Sequence, residues 1–319
     1  MNQSVAEALF GRMLDGDMSD EEIAATLVEL ADRGETAQEV TGAVRAMRAR
    51  MVRIDGLEGG IDVCGTGGDG QHSLNVSTAV ALVVAACGVP VAKHGNRAAS
   101  SKAGGADTLE ALGLNLARAG ELAPQTLPDL GIAFFFAQAH HPALGRIAPI
   151  RKALGRRTIF NLLGPLANPA GITRQLVGVP HPDFIPLYRE AMQLLGVERA
   201  MIVSGEEGLD ELSIAGPSRI ATIGLSFPDG IVTPEHAGLP RHALEELRGG
   251  DADYNAAALR RLLQGERGAY RDAVLLNSAG ALIVAGEVDN WNAGVEEAAE
   301  AIDKGLANTL LDCWIETVK

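Results

Sequence analysis

The sequence contains few cysteines and few aromatic residues for its length. Three cysteines occur among 319 residues, at positions 64, 87 and 313. They are too few and too scattered for a disulfide framework or a zinc site, so they predict reduced thiols and a cytoplasmic location. Aromatic residues make up 4% of the chain. That composition favours closely packed helices and tight loops over an aromatic-lined groove.

Positive charge and long apolar runs are also scarce. Lys and Arg number 27 against 41 Asp and Glu, which gives a formal net charge of −14. A general nucleic-acid binder needs a Lys/Arg surface for the phosphate backbone, so we expect no nucleic-acid partner. The longest apolar run, 79–87, is about half of the roughly 18 residues that span a bilayer. The N-terminus lacks the basic start and apolar stretch of a signal peptide. We therefore expect no membrane partner.

Helical signals fill the first fifty residues. Ser19 with Glu22, and Thr36 with Glu39, have the spacing of capping boxes, and Gly34 fits a helix end between them. Apolar residues recur at helical spacing between positions 27 and 47. The segment 53–62 that follows has the composition of a linker.

Strand and helix patterns alternate from residue 60 onward. Short apolar runs predict strands over 60–65, 89–95, 132–138, 199–205, 219–224 and 229–234. Helices are predicted over 75–87, within 100–113, and over 272–286 and 294–316. Such alternation is typical of a mostly parallel sheet with helices on both faces. The predicted fold class is therefore α/β, with a small N-terminal helical domain and a large α/β domain.

A glycine-rich loop follows the first predicted strand, in the sequence DVCGTGGDGQHSLNVST (62–78). Gly65, Gly67 and Gly70 fit G-x-G-x-x-G, but no acid occurs between Asp69 and Asp107 to bind the ribose of a dinucleotide. A dehydrogenase therefore needs that acid from elsewhere, and no Walker-type Gly-Lys-Ser/Thr follows. The glycines and the adjacent helix start favour a phosphate site over a purely structural turn.

A second polar loop, KHGNRAASS (93–101), follows the next predicted strand. It carries Lys93 and Arg97, which alone could be surface charges. Loops at the carboxyl ends of neighbouring parallel strands converge on one crevice. The two loops together indicate a pyrophosphate-sized or sugar-phosphate ligand.

An acidic loop, GEEGLDELS (205–213), follows a later strand and contains four carboxylates. Mg²⁺ prefers a few carboxylates plus substrate phosphates, so this loop is a candidate magnesium site. A solvated acidic loop is the alternative. The spacing leaves open which two of the four acids would bind a metal.

The segment QAHHPALGRIAPIRKALGRRTIFNLLGPLANP (138–169) contains two adjacent histidines and four arginines. Some of these arginines must be solvated helix surface. One of them could pair with a substrate carboxylate, for which a guanidinium fork is well suited.

These four segments, in this order and spacing, resemble the anthranilate phosphoribosyltransferase family. The matching stretches, between about 62 and 213, are GTGGDG…LNVST, KHGNR…SS…GAD.LEALG, HHPA…IRK.LG.RTIFN.LGPL.NPA and GLDELS. The resemblance implies the nucleoside phosphorylase-like phosphoribosyltransferase fold. Residues 1–60 with part of 143–172 would form the helical domain, and 61–142 with 173–319 the α/β domain. It also implies a homodimer formed through the helical domain.

The resemblance implies a reaction as well. The family transfers phosphoribosyl from 5-phosphoribosyl-1-pyrophosphate (PRPP) to the amine of anthranilate, in tryptophan biosynthesis, with Mg²⁺ and release of pyrophosphate. Two Mg²⁺ ions per active site are expected. Two alternatives make different predictions about the sequence. If the protein were a pyrimidine nucleoside phosphorylase, which shares the fold, the second loop should be different. If it were a nucleic-acid-binding relative, the chain should be more basic and should lack an intact glycine loop and acid pair.

Site residues follow from the resemblance, position by position. It assigns PRPP contacts to Gly65, Gly68, Asp69, Ser73, Asn75, Val76, Ser77, Thr78, Lys93, His94, Gly95, Asn96, Arg97, Ala98, Ala99, Ser100, Ser101 and Gly105. It assigns Mg²⁺ to Ser77, Asp210 and Glu211, and anthranilate to Gly65, Asn96, Arg151, His94 and His141. Arg151 would bind the anthranilate carboxylate, and the catalytic residues Lys93, Asp210 and Glu211 would stabilise charge. Gly105 stands where the family commonly has Ser or Ala, so a side-chain contact is not expected there.

Overall fold

The computed structural model describes residues 1–54, 59–98 and 102–319. Three of the expected PRPP contacts, Ala99, Ser100 and Ser101, lie outside the described residues. So does the central part of the expected linker, 55–58.

Three helices form the N-terminal bundle: α1 (Gln3–Asp15), α2 (Asp20–Arg33) and α3 (Ala37–Arg48). Both expected capping boxes are confirmed, because Ser19 and Thr36 each exchange hydrogen bonds with the Glu three residues later. The bundle buries one apolar face of each helix, with Phe10, Leu27 and Val44 fully enclosed.

Within the part of the chain that the structure describes, seven strands follow the bundle. They are β1 (Asp62–Gly65), β2 (Val91–Gly95), β3 (Ile132–Phe136), β4 (Arg174–Gly178), β5 (Arg199–Gly205), β6 (Ser218–Ile223) and β7 (Gly230–Val232). One sheet has the order β1-β4-β5-β6-β7, and β2 pairs with β3 beside it. A parallel bridge between Ile61 and Val91 links the two sheets. The β1–β4, β4–β5 and β2–β3 pairs are parallel, whereas the β5–β6 and β6–β7 pairs are antiparallel. The prediction of a mostly parallel sheet is confirmed.

Twelve further helices within the described residues surround the strands. They are α4 (Val76–Ala86), α5 (Gly105–Ala111), α6 (Leu116–Glu121), α7 (Ala123–Leu130), α8 (Ala137–His140), α9 (Leu144–Leu154), α10 (Phe160–Leu163), α11 (Phe184–Leu194), α12 (Ala252–Leu263), α13 (Ala269–Ala285), α14 (Trp291–Asp303) and α15 (Leu306–Thr317). The expected single helix over 294–316 is wrong in one respect, because Lys304 and Gly305 divide it into α14 and α15. Helices α4 and α13 are apolar on nearly every side and lie in the core.

The segment between β3 and β4 returns to the N-terminal bundle. Helix α9 packs on α1 and α2, and α10 packs on α3. Beyond α9, Arg156 forms an ion pair with Asp32, and Arg157 pairs with the buried Glu35 at 2.8 Å. These contacts join the segment between β3 and β4 to the N-terminal bundle.

Within residues 1–54, 59–98 and 102–319, none of the helices combines the length and apolarity that crossing a bilayer requires.

Candidate active site

The loop between β1 and α4 forms the floor of the site. Gly67, Gly68 and Gly70 all have positive φ, at +67°, +75° and +74°, which explains why glycine stands at these turns. The loop ends at the N-terminus of α4, where no acidic side chain occupies the first turn. Amide groups at such a helix start carry partial positive charge and attract anions. This helix start supports the expectation of an anion-binding loop, which stays a prediction.

The acidic loop after β5 contacts this glycine loop directly. The Gly67 N–H donates to Asp210 Oδ2 at 2.7 Å, and the Ser77 N–H donates to Glu211 Oε1 at 3.2 Å. Gln71 donates a further hydrogen bond from its side chain to the Glu207 carbonyl oxygen, at 2.9 Å. The glycine loop and the acidic loop therefore lie in direct contact.

Two glycines make this approach possible. A methyl group on Gly65 would lie 2.3 Å from Asp210 Oδ2, and one on Gly178 would lie 1.6 Å from the Asp210 carbonyl oxygen. Both distances are shorter than any real contact between such atoms. Because β1 and β4 end in glycine, the acidic loop can lie against their carboxyl ends. Gly178 is not among the predicted site residues, because the sequence does not predict β4.

The structure separates the four acids of the loop. Asp210 and Glu211 are buried and face the glycine loop, whereas Glu206 is exposed. Glu207 accepts a hydrogen bond from Ser213 within its own loop. The spacing alone left open which two acids were functional, and the geometry favours Asp210 and Glu211.

The electrostatics of the pair suit a cation. Burial, reinforced by the charge of Asp69, raises the pKa of Asp210 to about 7. Burial and the charge of Asp210 raise the pKa of Glu211 to about 8. Asp69 Oδ2 is buried and accepts no hydrogen bond from the described residues. A Mg²⁺ ion fits this donor set, because it would supply the positive charge and accept hard oxygen ligands.

The described residues could supply only part of a metal coordination shell here. Among them, no three His, Cys, Asp or Glu side chains are grouped so that they could hold a metal ion. Two carboxylates and the Ser77 hydroxyl would leave coordination positions open on a bound Mg²⁺ ion, and substrate phosphates typically complete such a site.

Lys93 on β2 lies beneath the glycine loop. The residue is 4% exposed, and its ammonium group donates to the Val63 carbonyl oxygen at 2.6 Å and to Ser77 Oγ at 3.2 Å. No carboxylate within the described ranges pairs with it. Its charge therefore lies beside the Ser77 hydroxyl, close to Glu211, where an anionic ligand would gain from it.

The second polar loop is braced by its own acids. Arg97 pairs with Asp107 at 2.9 Å and with Glu110 at 2.5 Å. Asp107 also accepts hydrogen bonds from the backbone N–H groups of Ala98 and Gly104. The charge of Arg97 is thus balanced locally, and its contact with PRPP stays a prediction. Asn96 remains exposed at the loop surface.

The other residues that are expected to contact PRPP lie around the start of α4. The Asn75 side chain is already engaged with Ala103, Thr108 and Asn255. Ser73 forms an antiparallel bridge with Arg248. Near α4, a methyl group on Gly105 would lie 2.8 Å from Thr78 Oγ1. One on Gly95 would lie 2.7 Å from the Phe134 ring. Val76 and Thr78 are buried, and Gly68 faces Asn161 at 4.0 Å from the position of an added methyl group.

Arg151 lies at the other side of the glycine loop. Its guanidinium group is half-buried, donates to Asn161 Oδ1 at 3.3 Å and lies 5.7 Å from the centre of the Phe160 ring. Burial lowers its pKa, and no carboxylate in the described part of the chain pairs with it. Asn161 was not predicted as a site residue, although it lies inside the recognised segment.

Two buried histidines face each other near the start of this segment. The rings of His94 and His141 are 5.3 Å apart between centroids. His94 Nδ1 lies 3.1 Å from the Gly164 carbonyl oxygen, and His141 Nε2 lies 3.0 Å from that of Ala167. Burial lowers the pKa of His94 to about 3 and that of His141 to about 4. Both are therefore neutral at pH 7, and each donates one ring N–H to a carbonyl oxygen.

Comparison with known proteins assigns the chain to a family. A family model described as "Glycosyl transferase family, a/b domain" matches residues 57–308, and one described as "Glycosyl transferase family, helical bundle domain" matches residues 1–51. The chain is 63% identical to the anthranilate phosphoribosyltransferase of Novosphingobium aromaticivorans, over 100% of this chain and 97% of the relative. The chain belongs to the anthranilate phosphoribosyltransferase family.

Solved structures of anthranilate phosphoribosyltransferases have the same fold. The enzyme of Thermus thermophilus superposes with a TM-score of 0.94 at 41% identity, covering 100% of this chain and 96% of that one. The Saccharomyces cerevisiae enzyme in complex with PRPP and Mg superposes with a TM-score of 0.90 at 28% identity, covering 99% and 93%. Its complex with 4-fluoroanthranilate gives the same TM-score and coverage at 26% identity. The predicted helical domain joined to a large α/β domain is confirmed.

Proposed function

We propose that the protein transfers the phosphoribosyl group from PRPP to the amino group of anthranilate, a step of tryptophan biosynthesis. The products are N-(5-phosphoribosyl)anthranilate and pyrophosphate, and the reaction requires Mg²⁺. The observation that carries this proposal is the contact between the acid pair and the glycine loop, through the Gly67 and Ser77 amides. The family membership of the chain supports it independently.

The donor site in this proposal is the crevice between the two polar loops. PRPP would contact Gly65, Gly68, Asp69, Ser73, Asn75, Val76, Ser77, Thr78, Lys93, His94, Gly95, Asn96, Arg97, Ala98, Ala99, Ser100, Ser101 and Gly105. Ser77, Asp210 and Glu211 would hold Mg²⁺, with two ions per active site. For Arg97 and Asn75 this contact requires that the side chain exchange its present partners for the ligand.

The acceptor site would lie between Arg151 and the two buried histidines. A half-buried guanidinium group without a carboxylate partner suits the carboxylate of anthranilate, because a charge-assisted pair there is shielded from water. Gly65, Asn96, His94 and His141 would complete it. The neutral imidazoles leave the charge of Arg151 uncompensated, which favours an anionic acceptor.

The chemistry follows from where the charges lie. The anthranilate nitrogen attacks C1 of the ribose while the bond from C1 to pyrophosphate breaks, and the bonding electrons leave with pyrophosphate. The new C–N bond leaves the nitrogen positively charged, and the nitrogen then loses one proton to solvent. Bound Mg²⁺ would neutralise charge on that leaving group. Lys93 and the amides at the start of α4 would stabilise the same charge from the protein side. An aryl amine is neutral at pH 7, so no strong base is needed before attack. Holding the reactants in line supplies much of the remaining acceleration.

Three further features belong to the proposal. The domain boundaries would fall at 60/61, 142/143 and 172/173, supported by the packing of α9 on α1 and α2. The protein would form a homodimer, as the family resemblance implies. A cytoplasmic location is supported by its cysteines, because Cys64, Cys87 and Cys313 are all free thiols.

The test is the loss of anthranilate fluorescence during incubation with PRPP. We expect loss in the presence of Mg²⁺, with equal release of pyrophosphate, and none in the presence of a chelator. No loss with folded protein would contradict the proposal. Phosphorolysis of thymidine or uridine in its place would assign the site to the phosphorylase class.

A matched pair of variants tests the role of the acids. Glu211→Gln replaces a carboxyl group that would be ionised when Mg²⁺ is bound, and we expect the rate to fall at least about a hundredfold, because charge stabilisation of this kind is worth that much. Glu206→Gln removes an exposed charge four residues from Asp210 in the same loop, and its rate is expected to stay unchanged. Equal losses in both variants would contradict the assignment.

A further inference from the structure

Helix α13 touches both loops of the donor site from behind. Its hydroxyl-bearing residue Tyr270 donates to the Asn75 carbonyl oxygen at 3.1 Å, at the end of the glycine loop. Seven residues later, Asn277 binds the acidic loop at Leu212, directly after Glu211. Residues seven apart lie on the same face of a helix, about 10 Å apart along its axis. One rigid helix thus reaches the phosphate loop and the acid pair at once.

Both polar atoms of the Asn277 side chain form hydrogen bonds. The side chain is fully buried, its Oδ1 accepts from the Leu212 N–H at 2.9 Å, and its Nδ2 donates to the Leu212 carbonyl oxygen at 2.9 Å. A second hydrogen bond from Nδ2 reaches the Ala273 carbonyl oxygen on the helix itself. An amide buried in an apolar core costs free energy unless every group is paired. Here the pairing fixes both backbone groups of one loop residue.

Helix α13 is held in place by packing on nearly every side. It spans 17 residues, and every one except Tyr270 and Asp272 is buried. It packs against α4 and α14, and contacts β4 and β5. At Gly280, an added methyl group would lie 3.1 Å from Leu212 Cδ1, so the helix backbone also lies close to the acidic loop. A helix enclosed in this way moves little relative to the sheet.

We propose that Tyr270 and Asn277 are positioning residues, which set the distance between the phosphate loop and the acid pair through α13. The inference rests on the proposed function for the identity of the ligand. It goes beyond that function because neither residue is among the expected substrate or metal contacts. They act on the backbone of Asn75 and Leu212, so their loss would displace the loops rather than remove a ligand contact.

The test is the binding of pyrophosphate in the presence of Mg²⁺, followed by isothermal titration calorimetry on the full chain. Tyr270→Phe removes one hydroxyl group and keeps the ring, and we expect the dissociation constant to rise about fivefold, as for one lost hydrogen bond. Asn277→Ala removes three hydrogen bonds, and we expect a rise of about tenfold or more. Anthranilate affinity, measured by its fluorescence, should stay unchanged in both variants.

Ser278→Ala is the matched control. Ser278 is buried on the same helix beside Asn277, and its hydroxyl has no hydrogen-bond partner within the described residues. This variant should bind Mg²⁺–pyrophosphate like the wild type. Equal weakening in Ser278→Ala, or an equal loss of anthranilate affinity in the other variants, would show a general loss of packing and overturn the proposal.

The outcomes separate this inference from the proposed function. If the wild-type protein does not bind Mg²⁺–pyrophosphate, the proposed donor site is wrong. If it binds and Tyr270→Phe binds equally well, only the role of α13 is wrong. Should Asn277→Ala fail to fold, Tyr270→Phe decides the question, because it leaves the helix and its packing intact.

Discussion

At the scale of single residues, Arg151 is a half-buried cation without a carboxylate partner among the described residues. Its guanidinium group is half-buried and bonded to one amide oxygen, and no acid in the described ranges balances its charge. Arg146, on the same helix, instead donates to the Met18 carbonyl oxygen in the bundle. A charged group left in this state has a strong preference for an anionic ligand.

Arg151→Gln should therefore raise the KM for anthranilate about tenfold to a hundredfold, because hydrogen bonds to a charged group are worth that range. The KM for PRPP should change much less. Steady-state kinetics with each substrate varied in turn measure both values. Arg146→Gln, which removes a charge from the same helix, is the control and should leave both near wild type. Equal rises in the two KM values for Arg151→Gln would contradict a role in binding the acceptor.

The buried histidines predict how stability depends on pH. Burial holds the pKa of His94 near 3 and that of His141 near 4, below the ordinary value of 6.5. Below pH 6.5 the unfolded chain therefore binds protons that the folded protein does not, so stability is full above pH 6.5 and falls as the pH drops towards 4. At pH 5.5, each of the two histidines should lower the free energy of unfolding by roughly 1 kcal/mol.

Urea unfolding between pH 7.5 and 5.5 measures this loss. His141→Gln should flatten the pH dependence, whereas His181→Gln, which changes an exposed ring, should not. Nuclear magnetic resonance of the imidazole C–H groups should also show that His94 and His141 stay neutral down to pH 5. A protonated His94 at pH 6 would contradict the buried environment described here.

At the scale of elements, apolar spacing along the sequence predicts individual strands and helices. The strand and helix around the glycine loop, expected over 60–65 and 75–87, occupy Asp62–Gly65 and Val76–Ala86. β4 escaped detection because it begins with Arg174 and Gln175, two polar residues. Gln175 is nonetheless buried, since its side chain donates to the Pro165 carbonyl oxygen at 2.7 Å. Tertiary contacts of this kind leave no apolar pattern.

Pairing direction and distant contacts are also hidden from the sequence. Nothing in the apolar run of β6 distinguishes an antiparallel edge from another parallel strand. The acidic loop could be recognised, but the choice of Asp210 depended on the family resemblance, because its contact with Gly67 joins residues 143 positions apart. The ion pairs of Arg97 with Asp107 and Glu110 were not predicted either, although these acids are near Arg97 in sequence. The fold of helix α5 brings both acids to Arg97, and the spacing alone does not show this.

At the scale of the whole molecule, the N-terminal bundle shares its core with the sheet. One continuous apolar cluster contains Phe10 and Leu27 of the bundle together with Val177 of β4 and Ile202 of β5. The other face of the sheet packs on α4, α13 and the C-terminal helices in a second cluster. The bundle therefore has no separate core that could stay folded alone.

This shared core predicts one cooperative thermal transition. Differential scanning calorimetry should give a single peak whose calorimetric and van't Hoff enthalpies agree per cooperative unit. Leu27→Ala, in the bundle, and Ile202→Ala, in the sheet, should each shift that one peak downward by several degrees, because each opens a cavity worth about 2–5 kcal/mol. Two peaks, with each variant shifting only one of them, would contradict a shared core.

The glycine at the end of β4 has a consequence for protein engineering. With the Asp210 carbonyl oxygen 1.6 Å from where a β-carbon would stand, residue 178 has no tolerated alternative that keeps the loop in place. In a saturation library, we expect the surviving clones to keep glycine at positions 65 and 178. Selection for a different acceptor would therefore have to leave these two positions unchanged, because the acidic loop lies against both of them.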